Sequence, residues 1–159
     1  MAQKNPSLPV ELALAEVDDL EAILPMVREY HQFDHLEFEE VTIKKLLRSL
    51  LENPALGRLW KVRYQEETIG YLLLTFGYSL EYQGRDAFID EFYLKEHWRT
   101  QGLGNQTMEL FKKEAQELGL KAIHLEVERK NQSAVGLYRK HGFKEPDRAM
   151  MTLWMDGRS

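Results

Sequence analysis

The sequence predicts an α/β fold in which a mixed, mostly antiparallel central sheet is flanked by helices. Three observations lead there. Apolar residues alternate with period two in some stretches and recur at helical spacing in others, and these patterns follow one another in the order β-α-α-β-β-β-α-β-α-β. The middle of the chain, residues 57–94, holds three β-favouring runs separated by short polar turns, the mark of a meander. Gly102 and Gly104 then stand where an apolar run hands over to a helical pattern, and glycine lets the backbone turn tightly at such a corner.

Taken in order, residues 10–17 alternate apolar side chains with Glu11 and Glu16 and read as the first strand. Asp18 or Asp19 caps the helix that follows. Its Leu20, Ile23, Leu24, Val27 and Tyr30 share one face, so it runs to about Tyr30, with Pro25 a kink or weak point. The linker 30–40 interleaves Phe33, Leu36 and Phe38 with Asp34, Glu37, Glu39 and Glu40 and holds no Lys or Arg. Such a run serves either as a cation-accepting rim or as an acidic helix start. His31 and His35 stand at i, i+4, a spacing able to share a metal ion, but no convincing third ligand accompanies them and no metal is expected.

Val41, Leu46, Leu47, Leu50 and Leu51 mark a second amphipathic helix, ended by Asn53 and Pro54. Residues 59–64 and 69–78 flank a polar turn and predict an antiparallel hairpin, and a further turn at 82–86 leads into the strand that ends at Leu94. A helix over 104–118 shows Thr107, Leu110, Phe111 and Leu118 on one face and stops at Gly119. Residues 122–127 alternate as a strand, Asn131 caps a short helix closed by Gly142, and residues 148–155 predict a last strand.

Composition narrows the functional classes. The 159 residues suit one domain, and 43% hydrophobic with 30% charged residues is ordinary for a soluble globular protein. Without cysteine there is no disulfide, thiolate metal site or cysteine nucleophile. The start of the chain lacks the apolar core of a signal peptide, and no apolar run approaches the roughly 20 residues that span a bilayer, so neither a membrane partner nor export is expected and the default location is cytoplasmic. The net charge of −5 is uneven: residues 1–94 carry 9 basic and 17 acidic side chains, residues 95–148 carry 11 and 8. One half favours a cation and the other an anion if those charges also segregate in space. The negative total and the lack of a concentrated basic face argue against nucleic acid.

The stretch 89–104 organises the rest. An apolar strand passes through a charged corner into Arg99, Thr100, Gln101, Gly102, Leu103 and Gly104, and a helix follows at once. Free N–H groups at such a helix start hold an anion, above all a pyrophosphate. By itself an arginine followed by G-x-G is also a common tight turn.

Two motifs together are more specific, and here the chain resembles the GCN5-related N-acetyltransferases (GNAT). Their R/Q-x-x-G-x-G/A element is matched by Arg99 to Gly104 between a strand and a helix. Their N-x-x-A-x-x-L-Y-x-x-x-G-F element is matched by Asn131, Ala134, Leu137, Tyr138, Gly142 and Phe143. The likeness is best over 88–143. It implies a single N-acetyltransferase domain over 1–159, with a splayed strand pair that admits acetyl-CoA as co-substrate. The amides of Thr100, Gln101, Gly102, Leu103 and Gly104 would hold the pyrophosphate. The pantetheine would lie between the strand of Phe92, Tyr93 and Leu94 and the strand 123–127, pairing like an added strand. Arg99, Asn131 and Tyr138 complete the implied cofactor-binding set. Thr100 stands where the family often has a further glycine.

Acetylating an amine sets chemical demands. An alkyl amine with a pKa near 10.4 is almost wholly protonated at pH 7, and freeing its lone pair costs about 4.6 kcal/mol. Glu91, on the strand before the motif, is the first candidate to take that proton; Glu126 or Glu128 is the second. Strict alternation puts Glu91 and Tyr93 on one face and Asp90, Phe92 and Leu94 on the other, so Asp90 and Glu91 share a face only through a bulge. Tyr138 is implied as proton donor to the leaving thiolate. With no cysteine, transfer is direct within a ternary complex. The acidic linker makes Phe33, Asp34 and Glu91 candidate contacts for a cationic amine, of a small molecule or a peptide. A CoA-binding regulatory module without turnover is the alternative, and a homodimer is common among proteins of this kind.

Overall fold

In the computed structural model, which describes residues 9–158, the chain enters through a short strand, β1 (Glu11–Leu14). A 3-10 turn at Val17–Asp19 then leads into α1 (Leu20–Phe33). Asp19 secures that entry from both sides: one carboxylate oxygen accepts from the Glu16 amide at 2.9 Å, the other from Lys61 Nζ at 2.7 Å. Pro25 lies inside α1, and the helix runs through it to Phe33, three residues past the expected end. Part of the expected linker is therefore helical.

The acidic run after it proves to be a helix start. Glu39 accepts from the amides of Val41 and Thr42 and caps α2 (Glu40–Glu52). β2 (Gly57–Tyr64) and β3 (Glu67–Ser79) form the expected hairpin. Its two central residues, Gln65 and Glu66, both take positive φ, the twist that suits a two-residue hairpin loop. β4 (Gly84–Leu94) completes the meander. After a 3-10 turn at Glu96–Trp98 comes α3 (Leu103–Glu117), then β5 (Ala122–His124) and α4 (Gln132–Lys140).

The sheet order is β1-β2-β3-β4-β5, antiparallel throughout except for the parallel β4–β5 pair. The strands of the meander send side chains into two cores. On one face Leu59, Tyr71, Leu73 and Tyr93 pack with Ile23, Val27 and Leu47 of α1 and α2. On the other, Val62 and Ile69 pack with Trp98 and Leu103, and Phe92 and Leu94 lie against them. Both faces are thus covered by helices, as the apolar patterns require.

The described residues form two compact units, one ending at Val127 and the other starting at Glu128. Within the second, Asn131 caps α4 by accepting from the Ala134 amide at 3.2 Å, and Tyr138 sets its ring edge-on to Phe143. The last strand expected over 148–155 is not formed: residues 148–154 adopt no regular secondary structure and a turn begins at Met155, with Met151 and Leu153 exposed. A strand needs a neighbouring ladder for its N–H and C=O groups, and among the described residues of this unit α4 is the only regular element.

The Asp19 contacts yield a stability test. Burial works against the Asp19 carboxylate, but Lys61 and the Glu16 amide more than offset it and hold its pKa below the ordinary value. A lowered folded-state pKa contributes stability that is present above the unfolded pKa and is lost as pH falls through the folded one. Asp19→Ala therefore costs about 1–2 kcal/mol in urea unfolding at pH 7. The gap between variant and parent closes as the pH is taken below about 4.

Candidate active site

The site begins with a slip in the ladder between β3 and β4. Leu73 faces Glu91 and Leu74 faces Ile89, so Asp90 has no partner and forms a bulge. Alternation would have put Asp90 and Glu91 on opposite faces; the extra residue re-aims them. His31 acts electrostatically on both carboxylates, and the charge of Asp90 adds to the rise at Glu91.

Glu91 is enclosed. Its side chain is 11% exposed, Oε1 accepts from the Tyr71 hydroxyl at 2.9 Å, and Oε2 lies 2.7 Å from His31 Nε2. His31 itself is buried, with Nδ1 3.1 Å from the carbonyl oxygen of Glu37 and its ring edge-on to Phe38 and Tyr30. Burial pushes the Glu91 carboxyl above the usual carboxylate range, against the opposing pull of His31 and Tyr71. Asp90 reaches solvent, yet the surrounding protein removes enough of its hydration to raise its pKa as well; His31 opposes the rise and the charge of Glu126 adds to it.

Tyrosines line the remaining wall. Tyr30, Tyr71 and Tyr93 contact one another with ring centroids 5.9–6.5 Å apart. The Tyr71 phenol is pushed up by burial and by the Glu91 charge beside it. That of Tyr93 is pushed up to about 12 by burial and by its hydrogen bond to Glu29. Arg99 lays its guanidinium 5.3 Å from both the Tyr93 and the Phe33 ring centroids and donates from Nε to the Leu94 carbonyl at 2.7 Å. A cation thus already rests on two aromatic faces at the end of β4.

The same strand end is open on its other side. Pairing with β5 stops at Phe88–His124, and among the described residues β4 continues unpaired on that edge to Leu94. β5 is shorter than the 122–127 expected, which lengthens the gap. Beyond it, Thr100 has φ 60° and Gly102 φ 79°, and Gly102 is the N-cap of α3 with no side-chain cap. A Cβ added at Gly102 would meet nothing within 4 Å, so this peptide stretch is open to a large ligand and its first-turn amides can serve an anion. The Leu103 side chain is committed to the core, leaving its backbone as the part that faces outward chemistry.

The other sequence candidates fall as follows. Phe33 ends α1 and is 57% exposed; Asp34 is the residue just past that helix end, its amide bonded to the Tyr30 carbonyl. Gln101 and Gly104 sit at the entry to α3, with Gln101 Nε2 donating to the His97 carbonyl. In the second unit Glu128 is exposed and pairs with Lys130 at 3.0 Å, the Asn131 side chain is used as a helix cap, and Tyr138 is half-buried. Among the described residues no group of three or more His, Asp or Glu side chains could hold a metal, and His31 is directed to Glu91 rather than to His35.

Sequence reasoning weighed His31 only as a metal ligand and missed Tyr71 and Glu29. One signal was present for His31: it continues the stripe of Leu20, Leu24 and Val27 at helical spacing, and a polar residue on a buried stripe needs a partner. Nothing in the sequence pointed to Tyr71, which reads as one more apolar strand residue.

Comparison with known proteins shows the family and the fold. The Acetyltransferase (GNAT) family profile matches residues 20–143. The chain is 26% identical over 131 residues to the uncharacterized N-acetyltransferase YhfO of Bacillus subtilis, covering 82% of this chain and 87% of that one. It is also 26% identical over 140 residues to a thialysine N-epsilon-acetyltransferase of Sus scrofa, 82% of each chain. Among solved structures, an integron cassette protein from the mobile metagenome of Cole Harbour Salt Marsh superposes with a TM-score of 0.80 at 27% identity, covering 91% of this chain and 90% of that one.

The left-handed conformation at Gly102 can be tested without any ligand. Gly102→Ala has room for its methyl group, so its cost is backbone strain alone, about 1–2 kcal/mol in chemical denaturation. Gly102→Asn costs less, because asparagine tolerates the left-handed region.

Proposed function

The chain belongs to the acetyltransferase (GNAT) family, and from that premise we propose that this acetyl-CoA-dependent acetyltransferase transfers its acetyl group directly to a primary amine carried by a cationic small molecule or peptide. The observation that carries the reading is Glu91, a nearly buried carboxylate at the bulge of β4, beside the strand edge that β5 leaves unpaired.

A buried carboxylate with raised proton affinity is the kind of group that accepts an ammonium proton near neutral pH. The cationic preference is supported by the surroundings. Asp90 and Glu91 lack full hydration and Glu29 stands behind Tyr93, so a positive ligand relieves electrostatic cost that the free protein bears. The Tyr93 and Phe33 faces accept a guanidinium within the chain itself, which supports Phe33 as a contact for a cation. Asp34 adds charge at the end of α1. The thialysine acetyltransferase relative is named for an amine of this kind.

For acetyl-CoA, the amides of Thr100 through Gly104 and the start of α3 bind the pyrophosphate, and Arg99 contributes positive charge beside it. The unpaired edge of Phe92, Tyr93 and Leu94 takes the pantetheine as an added strand. A backbone N–H near Leu94 stabilises the oxyanion that forms on the acetyl carbonyl. Tyr138 supplies a proton to the leaving thiolate, on the strength of its motif, with Asn131 shaping the same motif. Transfer from a phenol of pKa near 10 to a thiol near 8.5 is uphill by about 2 kcal/mol, so Tyr138 acts chiefly as a hydrogen-bond donor that is quickly reprotonated. Glu128 is the reserve candidate for the base.

A panel of amines assayed with acetyl-CoA tests the acceptor class: polyamines, lysine-like side chains and aminoglycosides are expected to outrun neutral and anionic amines, and the reverse order rejects the cationic reading. Glu91→Gln should lower kcat/KM by about 10²-fold or more while leaving calorimetric acetyl-CoA binding intact. Tyr138→Phe should reduce turnover with little change in acetyl-CoA affinity; unchanged turnover removes Tyr138 from the mechanism.

A further inference from the structure

We propose that His31 and Glu91 form a single titrating unit that holds one proton between them, with His31 as a positioning residue that sets the pH at which Glu91 becomes able to take the acceptor's proton. The inference rests on the reading of Glu91 as the base.

Hydrogen-bonding roles lead to the shared proton. The Glu37 carbonyl beside His31 Nδ1 can only accept, so Nδ1 carries a hydrogen. A neutral imidazole then presents a bare lone pair at Nε2, and a carboxylate has no hydrogen to offer it. Two such acceptors 2.7 Å apart repel. The contact is favourable only with one proton between Nε2 and Oε2, as imidazolium with carboxylate or imidazole with carboxylic acid. Both forms have the same total charge. The Tyr71 hydroxyl donates to the other oxygen, Oε1, and holds the carboxyl group in place.

The neighbouring groups act on the pair as a whole. From α1 come Tyr30 and His31; from β3, Tyr71; from β4, Asp90 and Tyr93, with Glu126 acting through Asp90 and Glu29 through Tyr93. The charges that act on Glu91 and Asp90 besides His31 are negative, and the cations nearby, Arg99 and Arg28, face Tyr93 and Phe38 instead. The negative charges favour keeping the proton.

In the resting state, therefore, Glu91 is not a bare base. It becomes one when the pair loses its proton to water. The acceptor's ammonium then gives one proton to the pair, restoring the shared state. The freed nitrogen lone pair forms the N–C bond to the acetyl carbonyl, the C–S bond breaks, and sulfur leaves with its electron pair. The second nitrogen proton makes good the one that Tyr138 gives to sulfur, and the pair releases its own to solvent before the next turnover. Burial makes Glu91 a stronger base than an ordinary carboxylate. Because the last proton of the pair is shared with an imidazole, the pair as a whole takes up and gives up that proton closer to the working pH than the carboxyl group would alone.

Two readouts test this. In protein labelled with 15N at histidine, the His31 ring should show Nδ1 protonated throughout and a proton at Nε2 that is lost in one step. That step should coincide with the ascending limb of log kcat/KM against pH. Glutamine offers an N–H to Glu91 without an ionisable proton, so His31→Gln should move that limb about one pH unit or more toward acid and lower the plateau about tenfold or more. Tyr71→Phe, which removes only a donor to the carboxylate, should move the limb the other way. A bare Nδ1 with a permanently protonated Nε2, or a His31→Gln profile superimposable on the parent's, overturns the proposal. If no amine is acetylated at all, the assignment of Glu91 as base fails, while the His31 spectrum still decides whether the shared proton exists.

Discussion

Between Leu73 and Leu74 the ladder joining β3 and β4 slips by one residue, and the arrangement of charged groups in this protein follows from that slip. Without the bulge at Asp90, the two adjacent acids would point to opposite faces of the sheet. With it, Asp90 and Glu91 both come under the field of His31, while Tyr93, Phe92 and Leu94 keep the alternation that feeds the two cores. Bulges disturb a ladder at some cost, and here the long, well-paired β2–β3–β4 meander absorbs it.

The same region holds an unusual concentration of polar groups inside an aromatic wall. Glu91, His31 and Tyr71 satisfy one another, and Glu29 and Tyr93 form a second pair, so the enclosure leaves these groups hydrogen-bonded rather than stranded. What it does not remove is the desolvation of negative charge, which appears as raised proton affinity at Glu91 and Asp90. That imbalance is the physical basis of the proposal that the acceptor is cationic. A site that already holds excess, poorly hydrated negative charge gains more from an ammonium than from a neutral amine.

Where the chain turns from sheet to helix, the logic is different and local. Thr100 and Gly102 adopt positive φ, α3 opens without a side-chain cap, and the last six residues of β4 have lost their β5 partner. Backbone groups are left available both along a strand edge and at a helix start. An elongated molecule with amide groups at one end and a pyrophosphate at the other matches that pair of features. This is the sense in which the family membership and the geometry agree.

The order of elements before residue 148, the hairpin, the meander, the Asn131 cap and the motif glycines were legible in the sequence because each depends on residues near one another in the chain; the Asp19 side chain, expected to cap α1, instead bonds the Glu16 amide and Lys61. Gly102 needs a left-handed φ, Asn131 caps the helix it precedes, and Glu39 and Glu40 begin one; period and turn chemistry are enough to see this. Residues 148–155 misled for the complementary reason: their alternation suits a strand, but pairing needs a neighbour that local pattern does not supply. The partners of Glu91 were illegible altogether. His31 comes from 60 positions away on α1 and Tyr71 from 20 positions away on β3, and the one-residue slip that aims Glu91 leaves no mark in composition. By itself, then, the sequence determined the class of fold and the glycine corner at the start of α3, whose physics is that of a few consecutive dihedral angles. Only the tertiary structure decided which carboxylate is enclosed and which side chains lie within hydrogen-bond distance of it, because burial and long-range hydrogen bonds exist only once the strands and helices have met.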